Sequence, residues 1–220
     1  MLGLFDSGRG GLNTVGYLRQ TGDADDLLYL IDRENAPYGI KTEKEITEIT
    51  VKNIDTLAKM GASAVLIACC TASTVYQSLP EEYKRISLPI IKEVAKEAKN
   101  RTRLGRIAVI STRHTAKSHA FLNELRDCEV TECDAGKLVG LIDGGLSDST
   151  VTEADKITIS EIIAPAISVG ADTLVLGCTH FPALKSTIGE IARAHGVENI
   201  VDSAKIGAEA LRRVKNKSDK

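Results

Sequence analysis

The sequence predicts an α/β protein of two pseudo-symmetric lobes. Each lobe is read as a mostly parallel sheet flanked by helices, with the functional site in the cleft between them. Three observations carry that expectation. Short apolar, β-rich runs alternate with longer charged, amphipathic stretches, the pattern of parallel strands joined by crossover helices. The segment GASAVLIAC at 61–69 aligns without a gap on GADTLVLGC at 170–178, so a unit of about half the chain recurs. The residues that follow the apolar runs are thiols, hydroxyls, carboxylates and an imidazole, not the Lys, Glu, Pro and Asn of ordinary loops. In parallel sheets ligands sit beyond the carboxyl ends of the strands.

The elements follow in order. Residues 2–5 form the first strand, and Asp6-Ser7-Gly8-Arg9-Gly10-Gly11 leaves it and opens a helix. Leu27–Ile31 is the second strand, ending at Asp32, and Pro37-Tyr38-Gly39 is a turn on composition. An amphipathic helix at 44–59 leads to a third strand, Ala64–Ile67, which ends at Cys69-Cys70-Thr71. A helix at 91–99 follows, and the charged stretch 96–103 is the predicted crossing between lobes. The strand at 107–110 runs into Ser111-Thr112 and echoes the first strand and its Asp6-Ser7 exit, less closely than the main repeat. A helix at 119–126 precedes Cys128 and Cys133, which sit on a strand edge and read as structural. A helix at 153–168, a strand at 173–176 ending in Cys178-Thr179-His180, a helix at 183–194 and a strand at 199–201 ending in Asp202-Ser203 complete the chain. The first lobe is placed at residues 1–98 plus 204–220 and the second at 99–203.

Composition narrows the function classes. The 220 residues are 43% hydrophobic and 26% charged, ordinary for a globular protein. A net charge of −2 provides no global basic field for nucleic acid. Aromatics at 4% without Trp argue against a base-stacking surface. No apolar run reaches the length of a membrane helix and the start resembles no signal peptide, so a cytoplasmic protein with no membrane partner is expected. Five cysteines are too few and too oddly numbered for a disulfide scaffold.

Cys69 and Cys178 carry the strongest chemical signal. Each follows a strand in register with the other, and Thr stands directly after Cys178 and one residue further on after Cys69. A thiol at a strand exit that opens a helix meets backbone N–H groups and a positive dipole end, which lower its pKa. Two such thiols on facing lobes would flank one small substrate. A buried cysteine also serves as a small hydrophobe, but two in register are hard to explain that way. The spacing of Cys178 and His180, and the adjacency of Cys69 and Cys70, match no structural zinc pattern. The Gly8, Gly10 and Gly11 loop lets a backbone approach a ligand but matches no nucleotide fingerprint. In that loop Asp6 either caps a turn or stands beside a reactive group, with Ser7 as a carboxylate donor. Thr112 and Thr115 follow a strand, where helix capping explains both equally well.

These motifs, in this order, resemble those of the aspartate/glutamate racemase family. The resemblance rests on Asp6-Ser7-Gly8 with Gly10-Gly11, on Asp32 ahead of Pro37-Tyr38-Gly39, on Ala68-Cys69 with Thr71-Ala72-Ser73, on Leu176-Gly177-Cys178-Thr179-His180-Phe181-Pro182 and on Val201-Asp202-Ser203. It implies a two-lobed, cofactor-independent and metal-free racemase of a small acidic amino acid. By that resemblance Cys69 and Cys178 are the two acid/bases, with Asp6 assisting Cys69 and His180 assisting Cys178. His180 matches the glutamate branch, where aspartate racemases carry Glu. Ser7, Tyr38, Gly39, Cys70, Thr71, Thr112, Thr115 and Thr179 would bind substrate, with Asp32 and Asp143 as auxiliaries. The family pattern has Asn at Cys70, and a thiol is a poorer donor to a substrate carboxylate. The resemblance further implies a supply of D-glutamate for peptidoglycan and a homodimer. Aspartate or another acidic substrate, or a non-catalytic amino-acid-binding relative, are the alternatives.

Overall fold

A computed structural model describes residues 1–218. The first sheet holds β1 (Leu2–Asp6), β2 (Leu27–Ile31), β3 (Ala64–Ile67) and β4 (Ser87–Pro89) in the order β2-β1-β3-β4. The second holds β5 (Arg106–Ser111), β6 (Glu129–Asp134), β7 (Thr173–Gly177) and β8 (Asn199–Asp202) in the order β6-β5-β7-β8. Every strand pairing is parallel. The two sheets thus share one strand order, and β3 and β7, which end at the two halves of the repeat, hold the same place in each.

Strand alternation distributes the core. In β1 and β3, Phe5, Val65 and Ile67 face α2 (Glu43–Lys59), packing with Ile46, Ile54 and Leu57. Leu4 and Leu66 point the other way, into a central core shared by both sheets. That core also takes Val109 and Val175 from the second sheet, with Val94 of α5 (Ile90–Arg101) and Leu211 of α11 (Ser203–Ser218). On the far side, Ile110, Leu174 and Leu176 meet Ile159 and Ile163 of α9 (Glu153–Ile167) and Ile188 of α10 (Lys185–Arg193). Each strand residue therefore buries one face or the other, as period two requires. Fully burying one such side chain is worth about 1.5–3 kcal/mol.

Local signals set the helix ends. Thr42 caps α2, its hydroxyl accepting from the Glu45 amide at 3.3 Å while the Glu45 carboxylate accepts from the Thr42 amide at 2.8 Å. Thr152 and Asp155 repeat that box on α9. The two repeat glycines explain themselves: Gly61 (φ 100°) and Gly170 (φ 71°) turn the chain from helix into strand in a region that disfavours a side chain.

The structure differs from the sequence reading in several places. The helix expected at 119–126 is shorter, α7 (Ala120–Glu124), and a further helix not expected from the sequence, α6 (Arg113–Ser118), precedes it across His119 with φ 53°. The crossing expected at 96–103 is helical through Arg101, because one face of α5 is buried in the central core. The chain changes sheets only over 102–105, where buried Asp172 accepts hydrogen bonds from Thr102 Oγ1 at 2.6 Å and from the amides of Arg103 at 2.6 Å and Leu104 at 2.8 Å. The remaining helices are α1 (Gly11–Gln20), α3 (Cys70–Ser73), α4 (Glu81–Ile86) and α8 (Lys137–Asp143). Residues 219–220, placed with the first lobe, lie outside the described residues. Among the described residues no helix is long and apolar enough to cross a membrane.

Candidate active site

Strand register brings the predicted residues together. Phe5 pairs with Ile67 and the Ala68 amide bonds the Phe5 carbonyl at 3.0 Å, so Asp6-Ser7 leaves β1 beside Cys69. The Ser7 Oγ lies 3.3 Å from the Cys69 Sγ. In the second sheet Ser111 pairs with Gly177, which sets Thr112 beside Cys178. Cys178 Sγ lies 3.7 Å from Nδ1 of His180, whose Nε2 is 3.4 Å from the Asp143 carboxylate. Both thiols are free and both line one cleft of about 490 Å3 at the carboxyl ends of the sheets. A cleft of that size suits a small ligand.

The electrostatics overturn one expectation. The thiols are not held at a low pKa. Burial pushes Cys69 up to about 11, and the nearby Asp6 carboxylate pushes the same way, against the Ser7 hydrogen bond. Burial also raises Cys178 strongly, opposed by the His180 amide. Cys70 is raised by burial and by both neighbouring sulfurs. The helix after Cys69 is a single turn, and Cys178 opens only a short 3₁₀ turn at Phe181–Leu184. Neither offers a dipole able to offset desolvation. Asp6 lies behind the cleft, fully buried. Burial raises its pKa although the Gly8 amide donates to Oδ1 at 2.8 Å and Thr179 and Gly11 pull the other way, and its Oδ2 makes no close hydrogen bond among the described residues.

The hydroxyl groups cluster as donors. Thr71 Oγ1 is 3.2 Å from Thr112 Oγ1 and 3.3 Å from Thr115 Oγ1. Thr71, Thr112, Cys70, Thr179 and Gly39 line the cleft, whereas Thr115 stands one layer behind, with no exposure. Tyr38 also lines the cleft. Its hydroxyl donates to Asp32 Oδ2 at 2.6 Å and accepts from Asn53 at 2.9 Å. That hydroxyl is thus committed away from a substrate, and Asp32 acts through it as a positioning residue. Burial alone would raise Asp32, but hydrogen bonds from Tyr38, Asn53 and Asn35 hold it below the usual carboxylate range. Asp202 lies apart: it caps α11 through the Ala204 amide at 2.9 Å and accepts from Tyr17 at 2.8 Å and Lys185 at 3.1 Å.

Sequence reasoning missed Arg9, Arg33 and Val139, which also line the cleft. The two arginines look like ordinary loop charges until the fold folds them over the opening. It also missed the junction that sets one cysteine against the other. Asn13 Nδ2 donates to the Thr179 carbonyl at 2.8 Å, and a Cβ on Gly10 would lie 2.8 Å from the Thr179 main-chain carbon. Of the glycine pair singled out in the sequence, Gly10 therefore serves close approach between the exits of the two sheets, whereas Gly11 makes room for Asp6 and Tyr29 within the first. Such a cleft offers a sulfur from each sheet, an imidazole–carboxylate pair beside one of them, and uncharged donors between. That set can exchange protons with a carbon atom held among them.

Known proteins share this construction. The family model for Asp/Glu/hydantoin racemases matches residues 14–211. A glutamate racemase of Persephonella marina is 34% identical over 216 residues, covering 96% of this chain and 81% of the relative. One from Neisseria meningitidis serogroup C is 36% identical over 219 residues, covering 97% and 79%. The crystal structure of Francisella tularensis glutamate racemase in complex with D-glutamate superposes with a TM-score of 0.86 at 25% identity, covering 99% of this chain and 81% of that one. Picrophilus torridus aspartate racemase, at 21% identity and a TM-score of 0.69, shares the fold, covering 98% and 94%. With the family model spanning most of its length, and with relatives this similar over nearly all of it, the chain belongs to the Asp/Glu/hydantoin racemase family.

Proposed function

We propose that this chain interconverts L- and D-glutamate without a cofactor, with Cys69 and Cys178 as the proton-transferring pair, and so supplies D-glutamate for peptidoglycan in the cytoplasm. The observation that carries the reading is the pair of free thiols at equivalent strand exits of two like-ordered sheets, lining one cleft. Binding alone asks for no thiol from each lobe, which disfavours a non-catalytic role. The named activity of the relatives supports glutamate as the substrate.

One thiolate takes the α-proton, leaving carbanionic charge on the α-carbon. The other thiol delivers its own proton to the opposite face. The centre is inverted and the two sulfurs end with exchanged protonation states. Burial, which keeps both thiols high, makes each thiolate a strong base, as so weak a carbon acid needs. The substrate ammonium would favour the ionised sulfur by its charge. Asp6 beside Cys69, and His180 with Asp143 beside Cys178, are placed to receive or return the thiol protons. The hydroxyls of Thr71, Thr112 and Thr179 would hold a carboxylate, and a dry site strengthens each such contact. The same reading divides the chain into lobes at 1–98 plus 204–220 and 99–203, and makes the protein a homodimer.

The test is incubation with either enantiomer of glutamate in deuterated water, following circular dichroism and the α-proton resonance. Wild type should reach an equal mixture with deuterium at the α-carbon. Cys69→Ser and Cys178→Ser should each lose about 10²–10⁴ in rate, while Cys128→Ser and Cys133→Ser retain it. Full activity in either of the first two variants would overturn the mechanism. Cys70 favours a second reading: it lines the cleft at the position where the resemblance implies Asn, so aspartate or another small acidic substrate should be assayed beside glutamate.

A further inference from the structure

We propose that Arg9 and Arg33 form a cationic mouth on the cleft that selects dicarboxylates by capturing the second carboxylate. The inference rests on the reading above and assigns the specificity of the same site. Arg9 and Arg33 both line the cleft, yet both are exposed, whereas Cys70 and Thr71 in the same lining are buried. The arginines therefore occupy the rim and the thiol–threonine group the floor. The two come from separate segments, the loop after β1 and the exit of β2. The Tyr29 hydroxyl holds those segments together by donating to the Gly8 carbonyl at 3.3 Å.

Neither guanidinium has an ion-pair partner among the described residues, although most other arginines of the chain do. Three carboxylates nearby are spoken for, and exposed Glu34, beside Arg33 in the sequence, forms no ion pair with it among the described residues. Asp32, next to Arg33, accepts from Asn35, Tyr38 and Asn53. Asp143, on the opposite wall, faces His180. Asp6 is buried behind the lining. Two unpaired cations at the mouth of a cleft, in a chain whose net charge is −2, are not a by-product of overall basicity. The floor offers hydroxyls and a thiol with no fixed cation, enough for one carboxylate but not a reason to prefer two. The guanidinium fork pairs with a carboxylate through two parallel N–H donors. A dicarboxylate would thus be held at both ends, with its α-carbon between the sulfurs. A cationic rim also steers an anion during approach, an effect that salt screens.

The experiment separates binding from turnover. Glutarate and butyrate have no amino group and are not turned over, so calorimetric titration reads the site alone. Wild type, Arg9→Gln, Arg33→Gln, the double variant and the Arg→Lys pair are titrated at low and high salt. Wild type should bind glutarate more tightly than butyrate. The double variant should weaken glutarate about tenfold or more, as expected for charge-assisted hydrogen bonds, and leave butyrate within about twofold. The Lys pair should recover part of the loss, and the salt dependence of glutarate binding should flatten in the Gln variants. Unchanged glutarate affinity in the double variant, equal loss of both ligands, or no preference in wild type would each overturn the proposal. Glutamate racemisation by wild type is measured alongside. Arginine-dependent glutarate binding without turnover would refute the racemase reading and leave the mouth intact. Turnover with arginine-independent binding would do the reverse.

Discussion

Replacing Gly10 by Ala tests the claim that catalysis depends on how the lobes meet. Gly10 has ordinary right-handed helical angles, φ −57° and ψ −34°, so alanine brings no backbone strain. Its Cβ would lie 2.3 Å from the Thr179 hydroxyl oxygen and 2.8 Å from the Thr179 main-chain carbon. The hydroxyl can rotate away, but the main chain cannot. Opening the 2.8 Å approach to the shortest ordinary contact, 3.4 Å, displaces Thr179 by about 0.6 Å. Cys178 is joined to Thr179 and moves with it. A misplacement of about 1 Å at a reacting group costs about 100-fold, so Gly10→Ala should lose roughly tenfold or more in kcat/KM. Overpacking of this kind also costs about 1–3 kcal/mol of stability. Gly16→Ala, on the same helix with nothing within 4 Å of its Cβ, is the control and should gain about 0.5–1 kcal/mol. Steady-state kinetics in both directions and thermal unfolding read the pair. A Gly10→Ala enzyme within about twofold of wild type would refute the argument that this contact fixes the distance between the sulfurs, whatever its melting temperature.

The remaining predictions are these. Cys70→Asn should lower KM for glutamate with little change in kcat, because it restores an amide donor to a carboxylate bound in ground and transition states alike. If activity instead falls on glutamate and on aspartate, the pocket has adapted to the thiol. Asp32→Asn should raise KM several-fold at nearly constant kcat, since the Tyr38 hydroxyl loses its charged acceptor; an unchanged KM would sink the positioning role. Asp172→Asn should destabilise by about 2 kcal/mol at neutral pH, as charge-assisted bonds to the 102–104 segment weaken. Burial would raise the Asp172 pKa, but hydrogen bonds from Thr102, Leu104 and Arg103 hold it below the usual carboxylate value. Its stabilisation is therefore full above about pH 4 and lost as pH falls through the depressed folded pKa. Denaturant titrations should show the gap between wild type and Asp172→Asn closing in acid, and a gap independent of pH would contradict it.

How much of this was legible in the sequence depended on where the deciding physics lay. The six short apolar runs announced themselves because their residues are buried or half-buried on both faces of each strand. The repeat at 61–69 and 170–178 was readable because each copy needs a glycine with positive φ and an unbroken buried strand. β4 escaped because it is three residues ending in Pro89, and β6 showed only as the strand edge at Cys128 and Cys133, with no apolar run, because Glu129, Thr131, Glu132 and Asp134 make it polar. The break at His119 was hidden since histidine, though it tolerates positive φ better than most side chains, does not mark such a position as glycine does. Cys69 and Cys178 reach the same cleft, as their register in the repeat suggested. Their high pKa values did not follow from local sequence, because burial is a property of everything packed around them. For the same reason nothing local revealed that the Tyr38 hydroxyl turns toward Asp32.

The shared strand order of the two sheets hides an inequality around the sulfurs. Cys69 has a hydroxyl beside it and Cys178 an imidazole. Mirror-image amino acids have equal free energies in water, so a racemase cannot favour either at equilibrium. Its kcat/KM values for the two enantiomers must therefore be identical, however lopsided the machinery. The difference between hydroxyl and imidazole can surface only in kcat and KM taken separately, each changing by the same factor between the L and D directions. A real imbalance in kcat/KM would mean that the substrate and product of this cleft are not mirror images.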